Sequence, residues 1–196
     1  MLLYYIRHGE TDWNREGRLQ GQRDIKINAN GRAQARRCGD VLRDLFTRGA
    51  ADPAQLDFVA SPLGRARETM QLVRAELGLD PTTYRTDPRL AEVSFGAWEG
   101  FTTEELRAHA PDAVAARESD KWNFTPPQAE SYSTMSLRVR DWYRSLMRDT
   151  VAVAHGGTFR GLIVQLGIAS AAEAPFLDVA QGVVYLIRPG SIDRYG

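Results

Sequence analysis

The sequence predicts an α/β fold, a three-layer α/β/α sandwich with a mostly parallel central sheet and a small lid insertion. Three observations carry this. Short apolar runs rich in β-formers alternate three times with segments of helical period, the pattern of a parallel α/β sheet. One stretch, about 94–131, is irregular where the rest is regular, and reads as an insertion rather than a second domain. The 196 residues bury roughly 70% of their unfolded surface, so one domain over 1–196 needs no metal or disulfide staple.

The elements follow in order. Leu2 to Ile6 is a buried strand. A polar, Gly-containing loop runs from Arg7 to about Asn30. Ala35, Cys38, Val41, Leu42 and Leu45 recur at helical spacing and set an amphipathic helix over about 31–48. Leu56 to Ala60 is a second strand. Ser61-Pro62 reads as a helix start, since Ser caps well and Pro suits the first turn. Leu63, Ala66, Met70, Val73 and Leu77 form that helix's apolar face, and Gly78 stops it. Thr82 to Arg85 is β-prone. Two short helices are expected around 103–109 and 111–119. Met135, Val139, Trp142 and Leu146 mark a helix over about 132–148. Val151 to Ala154 is a strand, Gly156-Gly157 a turn, and about 158–168 a helix. Val183 to Ile187 is the last strand. Pro189 to Gly196 is left as a tail that frays or orders on dimerisation, so a homodimer stays open.

Composition excludes several classes of function. Lys+Arg and Asp+Glu are both 25, so nucleic acid is not an expected partner. No apolar run approaches the ~20 residues of a membrane span, and the N-terminus lacks the pattern of a signal peptide. A single cysteine, Cys38, rules out an internal disulfide and fits a reducing cytoplasm, the expected location.

What stands after each apolar run is more specific. Arg7-His8-Gly9-Glu10-Thr11 follows the first, Ser61-Pro62-Leu63-Gly64-Arg65 the second, and His155-Gly156-Gly157 the run ending at Ala154. In a parallel sheet these segments meet at the C-terminal edge, where ligands bind. Two histidines and two arginines would gather beside helix N-termini, which suits an oxyanion, most simply a phosphate. Closely spaced Asp/Glu/His ligands are missing, and arginines would repel a cation, so no metal is expected. What remains is nucleophilic attack by a neutral imidazole on phosphorus.

These segments, with Asn14, Leu19-Gln20-Gly21, Leu90-Ala91-Glu92-Val93 through Gly100, and Val153 through Arg160, resemble the ordered blocks of the histidine phosphatase superfamily, the phosphoglycerate-mutase-like proteins. The resemblance spans residues 2–160. It implies that His8 is the nucleophile and that Arg7, Arg65 and His155 bind phosphate oxygens, His155 as a cation. It implies that Asn14 assists, that Gln20, Gly21 and Gly156 line the substrate site, and that Glu92 is the general acid and then the base. The chemistry agrees, since an alkoxide leaves badly at neutral pH without a proton donor. Glu99 and Glu10 are the rival carboxylates. His8 also needs an acceptor for its second nitrogen's proton, for which a backbone carbonyl near Gly9 is a candidate.

The form of Gln20-Gly21, the Phe95-Gly96-Ala97-Trp98-Glu99-Gly100 block and the short stretch from Glu92 to His155 resemble the phosphatase branch. The expected activity is a metal-independent phosphomonoesterase without cofactor, acting on a small organic phosphate through a phosphohistidine. A cofactor-dependent phosphoglycerate mutase is the alternative, and a non-catalytic phospho-ligand-binding regulatory protein is the alternative of another class. Trp98, Phe101, Trp122, Phe124 and Tyr132 either face the pocket or hold the lid to the body. The lid carries Arg107, Arg117 and Lys121 but is not rich in arginine, which disfavours a substrate with several phosphates.

Overall fold

The computed structural model describes residues 1–196. The strands are β1 (Leu3–Arg7), β2 (Asp57–Ala60), β3 (Arg85–Thr86), β4 (Thr150–Ala154), β5 (Val184–Arg188) and β6 (Ser191–Tyr195). The helices are α1 (Asp12–Arg15), α2 (Ala29–Gly49), α3 (Gly64–Glu76), α4 (Thr103–His109), α5 (Pro111–Ser119), α6 (Tyr132–Arg144) and α7 (Gly156–Gln165). One sheet holds all the strands in the order β3-β2-β4-β1-β5-β6. The pairings β2/β3, β2/β4 and β1/β4 are parallel, and β1/β5 and β5/β6 are antiparallel.

The period of two along each strand builds the layers. Leu3, Tyr5, Val59, Ala152 and Ala154 point to one face, where Met135, Val139, Trp142 and Leu162 of α6 and α7 cover them. Tyr4, Ile6, Phe58, Ala60, Val151 and Val153 point to the other, beneath Cys38, Leu42, Phe46, Met70 and Val73 of α2 and α3. Fully burying one such Leu or Met contributes about 1.5–3 kcal/mol, so the apolar face of each helix fixes its place on the sheet. No helix is long and apolar enough to cross a membrane.

Several expectations change. The third helix starts at Gly64 with Leu63 as its N-cap, not at Ser61. Ser61 instead extends the strand path, its N–H donating to the Val153 carbonyl at 2.9 Å. Gly156-Gly157 is the first turn of α7, so β4 runs straight into a helix through His155. The tail is not loose. Gly190 adopts φ +80 and closes a two-residue turn, and β6 pairs with β5. Ile192 and Tyr195 pack against opposite cores, so the tail no longer points to dimerisation. Thr82 and Thr83 form a turn whose hydroxyls donate to Asp80, which leaves only Arg85–Thr86 as strand. A short helix, α1, interrupts the long loop and is held by a reciprocal cap between Thr11 and Asn14.

The stretch 94–131 carries α4 and α5 and packs on the α6/α7 side. Leu106 and Val114 enter that core. Trp98 stacks on Phe124 at 5.3 Å and Trp122 on Tyr132 at 6.1 Å between centroids. These aromatics hold the segment to the body.

Candidate active site

Parallel pairing of β2, β4 and β1 brings their C-terminal ends to one edge of the sheet. The His8 N–H donates to the Ala154 carbonyl at 2.9 Å. His8 and His155 are buried side by side, with ring centroids 5.1 Å apart. Tyr5 braces the second histidine from below. Its hydroxyl donates to the His155 carbonyl (2.8 Å) and lies 2.6 Å from Thr158 Oγ1.

The hydrogen bonds fix the state of His8. Its Nδ1 stands 2.8 Å from the Gly9 carbonyl. A carbonyl only accepts, so Nδ1 carries the proton and Nε2 keeps its lone pair. Arg65 Nε–H points at that lone pair from 3.3 Å. Burial, then Arg65 and Arg7, push the His8 pKa well below the usual imidazole value, against the pull of the Gly9 carbonyl. Burial, Arg65, His8, Arg7 and Arg138 do the same to His155. In the absence of a phosphate, burial and the neighbouring arginines thus disfavour the cationic form of His155. Its Nε2 lies 2.7 Å from Ser61 Oγ, and its Nδ1 is buried with no protein partner.

The two arginines are held by carbonyls. Arg65 is wholly buried, with Nη1 donating to Arg23 O and Nη2 to Gly21 O, both at 2.6 Å. Arg7 Nη1 donates to Val179 O at 2.6 Å, while its Nε is buried without a partner. Burial lowers the pKa of both, opposed by the charge of Glu92.

Glu92 is the carboxylate that faces them. Its Oε1 accepts from Val93 N (2.9 Å) and its Oε2 from Gly157 N (3.2 Å). A Cβ on residue 157 would stand 2.3 Å from Glu92 Oε1, so only glycine admits this approach. Arg138 of α6 donates to the carbonyls of Arg89 and Ala91 (2.7 Å each) and Glu92 (3.2 Å), fixing the segment. The rivals lie elsewhere. Glu99 accepts from Gln22 N (3.0 Å) and Phe95 N (3.2 Å), and Glu10 from Asn28 Nδ2 (2.9 Å). Gly21 has φ +52, and a side chain there would run into Glu99.

A cavity of about 230 Å³ opens above this floor, lined in part by Arg7, His8, Asn14, Gln20, Arg65 and Glu92. Asn14 Oδ1 accepts from Thr11 N (3.1 Å) and Gln181 Nε2 (3.0 Å). Gln20 is buried. Gly21 lines the cavity too. Gly156 sits between two guanidinium groups, since a Cβ there would lie 3.5 Å from Arg160 Nη1 and 3.6 Å from Arg7 Nε. The structure thus brings His8, Arg7, Arg65, Glu92, Asn14, Gln20 and Gly21 to one cavity, with His155 directly behind. No group of three or more His, Cys, Asp or Glu is placed to hold a metal ion.

Sequence reasoning missed Ser61, Tyr5, Arg138 and Gln181, whose Nε2 also donates to the His8 carbonyl at 3.0 Å. Arg117 and Lys121 line the cavity and are joined there by Arg160 and Arg18. Arg160 was within reach, because it stands four residues after Gly156 on the same helical face. Gln181 lies in a loop with no pattern to mark it. Of the aromatic residues considered for the pocket, only Tyr132 lines it.

Residues 3–191 match the histidine phosphatase superfamily (branch 1). The chain is 34% identical over 178 residues, 84% of its length and 74% of the relative's, to a glucosyl-3-phosphoglycerate phosphatase of Mycobacterium tuberculosis. It is 29% identical over 97% of its length and 93% of the relative's to a 2,3-bisphosphoglycerate-dependent phosphoglycerate mutase of Azorhizobium caulinodans. Among solved structures, an alpha-ribazole phosphatase from Shigella flexneri superposes with a TM-score of 0.81 at 27% identity, over 96% of this chain and 90% of that one.

Proposed function

The chain belongs to branch 1 of the histidine phosphatase superfamily and is a phosphatase, and we propose that it is a metal-independent phosphomonoesterase working through phospho-His8 on a small organic phosphate. The observation that carries this reading is the state of His8. Its Nδ1 is tied to a carbonyl, its Nε2 keeps a lone pair met only by the long 3.3 Å contact from Arg65 Nε–H, and two buried polar atoms nearby, Arg7 Nε and His155 Nδ1, have no protein partner. A phosphate oxygen is an acceptor that satisfies both.

The reaction runs in two displacements. His8 Nε2 bonds to phosphorus while the ester P–O bond breaks. Glu92, protonated, gives its proton to the departing alcohol oxygen. The product leaves, and Glu92, now a carboxylate, takes a proton from water as the water oxygen attacks phosphorus. The P–N bond breaks, which frees phosphate and restores neutral His8. Arg7, Arg65 and His155 hold the three outer oxygens as charge shifts among them, with Asn14 and Gln20 on the cavity wall. We take 1–196 as one catalytic domain, with 94–131 as the lid over the site. The lone buried thiol, Cys38, supports a reducing cytoplasm as the location.

The test is phosphate release from a panel of phosphomonoesters, including p-nitrophenyl phosphate, by the native chain and by His8→Ala. Release is expected to fall by at least about 10⁴-fold in the variant, and a phosphohistidine should be trapped at His8 under a non-acidic quench. Turnover that survives in pure His8→Ala would overturn the reading. The mutase reading rests on the relative just described, and a coupled assay primed with bisphosphoglycerate separates transfer between hydroxyls from release to water.

A further inference from the structure

We propose that Gln34 is a positioning residue for the nucleophile: it accepts from the Glu10 N–H and so fixes and polarises the Gly9–Glu10 peptide, whose carbonyl holds the His8 Nδ1 proton. This rests on the phosphatase reading above and adds to it a residue that lies outside the cavity.

The two bonds meet on one peptide group. Its carbonyl stands 2.8 Å from His8 Nδ1, and its N–H donates to Gln34 Oε1 at 2.9 Å. A peptide is planar, so its two ends cannot turn independently. Anchoring the N–H therefore aims the carbonyl at the imidazole. An acceptor on the N–H also polarises the group and makes its oxygen a stronger acceptor. The ring feels this on its far side. A firmly held Nδ1 proton keeps the lone pair on Nε2 and adds to its basicity. Burial, Arg65 and Arg7 lower the His8 pKa, and the Gly9 carbonyl raises it. A weaker carbonyl would leave a poorer nucleophile.

The start of α2 is shaped around this peptide. The N-cap residue Asn28 donates its backbone N–H to Glu10 O at 2.8 Å. Gly31, in the first turn, lets the chain at Gly9 and Glu10 lie against the helix. A Cβ there would stand 2.3 Å from Glu10 O and 2.6 Å from Glu10 N. Gln34 follows three residues later on the same face. Its side chain is half-buried, makes no other hydrogen bond and does not line the cavity.

Two other side chains brace this loop, but on the preceding peptide. Thr69 Oγ1 accepts from the Gly9 N–H and Gln181 Nε2 donates to the His8 carbonyl, both at 3.0 Å. Thr69 also donates to Arg65 O, and Gln181 to Asn14 Oδ1. Changing either one disturbs another member of the site. Gln34 reaches the carbonyl that meets His8 and touches nothing else there.

The test reads His8 itself. In isotope-labelled protein the NMR signal of the His8 Nδ1 proton, assigned by its absence in His8→Ala, is compared in the native chain, Gln34→Leu and Gln34→Glu. Leucine fills the space without an acceptor, and glutamate keeps the oxygen. Both are good helix formers, so α2 persists. Gln34→Met takes the place of Gln34→Leu if that variant folds poorly. In Gln34→Leu, exchange of the Nδ1 proton with water should quicken by about tenfold and its signal should move upfield. kcat/KM for p-nitrophenyl phosphate should fall by about tenfold. The Kd of inorganic phosphate, from titration calorimetry, should stay within about twofold. Gln34→Glu should keep all three near native. A loss of activity with the His8 proton unmoved, no rescue by glutamate, or an equal weakening of phosphate binding would each mean a structural role and overturn the proposal. If the native chain hydrolyses no ester but the proton still responds to Gln34→Leu, the positioning stands and the phosphatase reading fails. If esters are hydrolysed and the proton does not respond, the positioning alone fails.

Discussion

The floor and the wall of this cavity are both lined by cations, and they are built differently. At the floor, Arg65 and Arg7 are clamped by the carbonyls of Arg23, Gly21 and Val179, and two buried imidazoles are kept neutral between them. Each of these side chains ends a parallel strand, directly follows one or stands in the first turn of the helix after it. At the wall, Arg117, Lys121 and Arg160 come from separate elements and lean on the Pro175 and Leu177 carbonyls and on the rings of Phe95 and Phe176. The floor is preorganised for charge that develops in the reaction. The wall lies away from the reacting atoms and touches only what the substrate carries beyond its phosphate. Changes at the floor should therefore appear in kcat, and changes at the wall in KM and in substrate preference.

After loss of the nucleophile, the largest expected effect is that of Glu92→Gln, which keeps the shape and removes the proton. We expect kcat for alkyl phosphates to fall by about 10²–10⁴-fold. The fall should be much smaller with p-nitrophenyl phosphate, whose leaving group needs no proton. Equal losses on both substrates would take Glu92 out of the acid's role. A smaller effect is expected at Ser61→Ala, which strips His155 Nε2 of its neighbour at 2.7 Å. A loss of about tenfold in kcat with little change in KM would place Ser61 with the floor. A change confined to KM would break the division between floor and wall.

The same division marks what the sequence discloses. His8, Arg65 and His155 are legible because each lies within five residues of a strand end, and parallel pairing alone brings strand ends together. The amphipathic spacing on α2, α3 and α6 is legible for a similar reason, since one face meets the sheet. Ser61 was misread because Ser-Pro is a good local helix start, and the tertiary pairing of its N–H with Val153 overrode that preference. The tail was misread because a closing Pro-Gly reads equally as a chain stop and as a hairpin turn. The wall was hidden because Arg117, Lys121 and Arg160 share no spacing. Only the docking of 94–131 against α6 and α7 brings them together.

Lys121 gives the wall a signature in pH. Its pKa of about 8 reflects burial and the positive charges of Arg117 and Arg160, the charged groups that act on it. As pH rises through that value the ammonium becomes neutral while both arginines stay charged. For esters with a second anion, kcat/KM should fall by about threefold across this limb, less than a full charged contact because two cations remain. The limb belongs in kcat/KM, which reports the free enzyme, and should fade in kcat, because a bound anion restores the ammonium. Neutral esters and Lys121→Gln should lack it. A limb of equal size in all three cases would assign the titration to another group.

The smallest effect is on stability, and it belongs to the floor. His8 and His155 are neutral in the fold because burial and arginines disfavour their cations. In the unfolded chain each takes up a proton near pH 6.5. Below that pH the unfolded state binds more protons than the folded one, so stability falls as pH drops. Above it the two histidines contribute no slope. The linkage amounts to at most about 1.4 kcal/mol per pH unit for each histidine, or several degrees of Tm per unit for the pair. Thermal unfolding between pH 5 and 6.5 should show this slope before carboxylates begin to titrate, and His155→Asn should halve it. A flat Tm across that window would mean that the folded site accepts protons freely. His8 would then spend much of its time as a cation in mild acid, and the lone pair on which the floor's chemistry depends would be lost there.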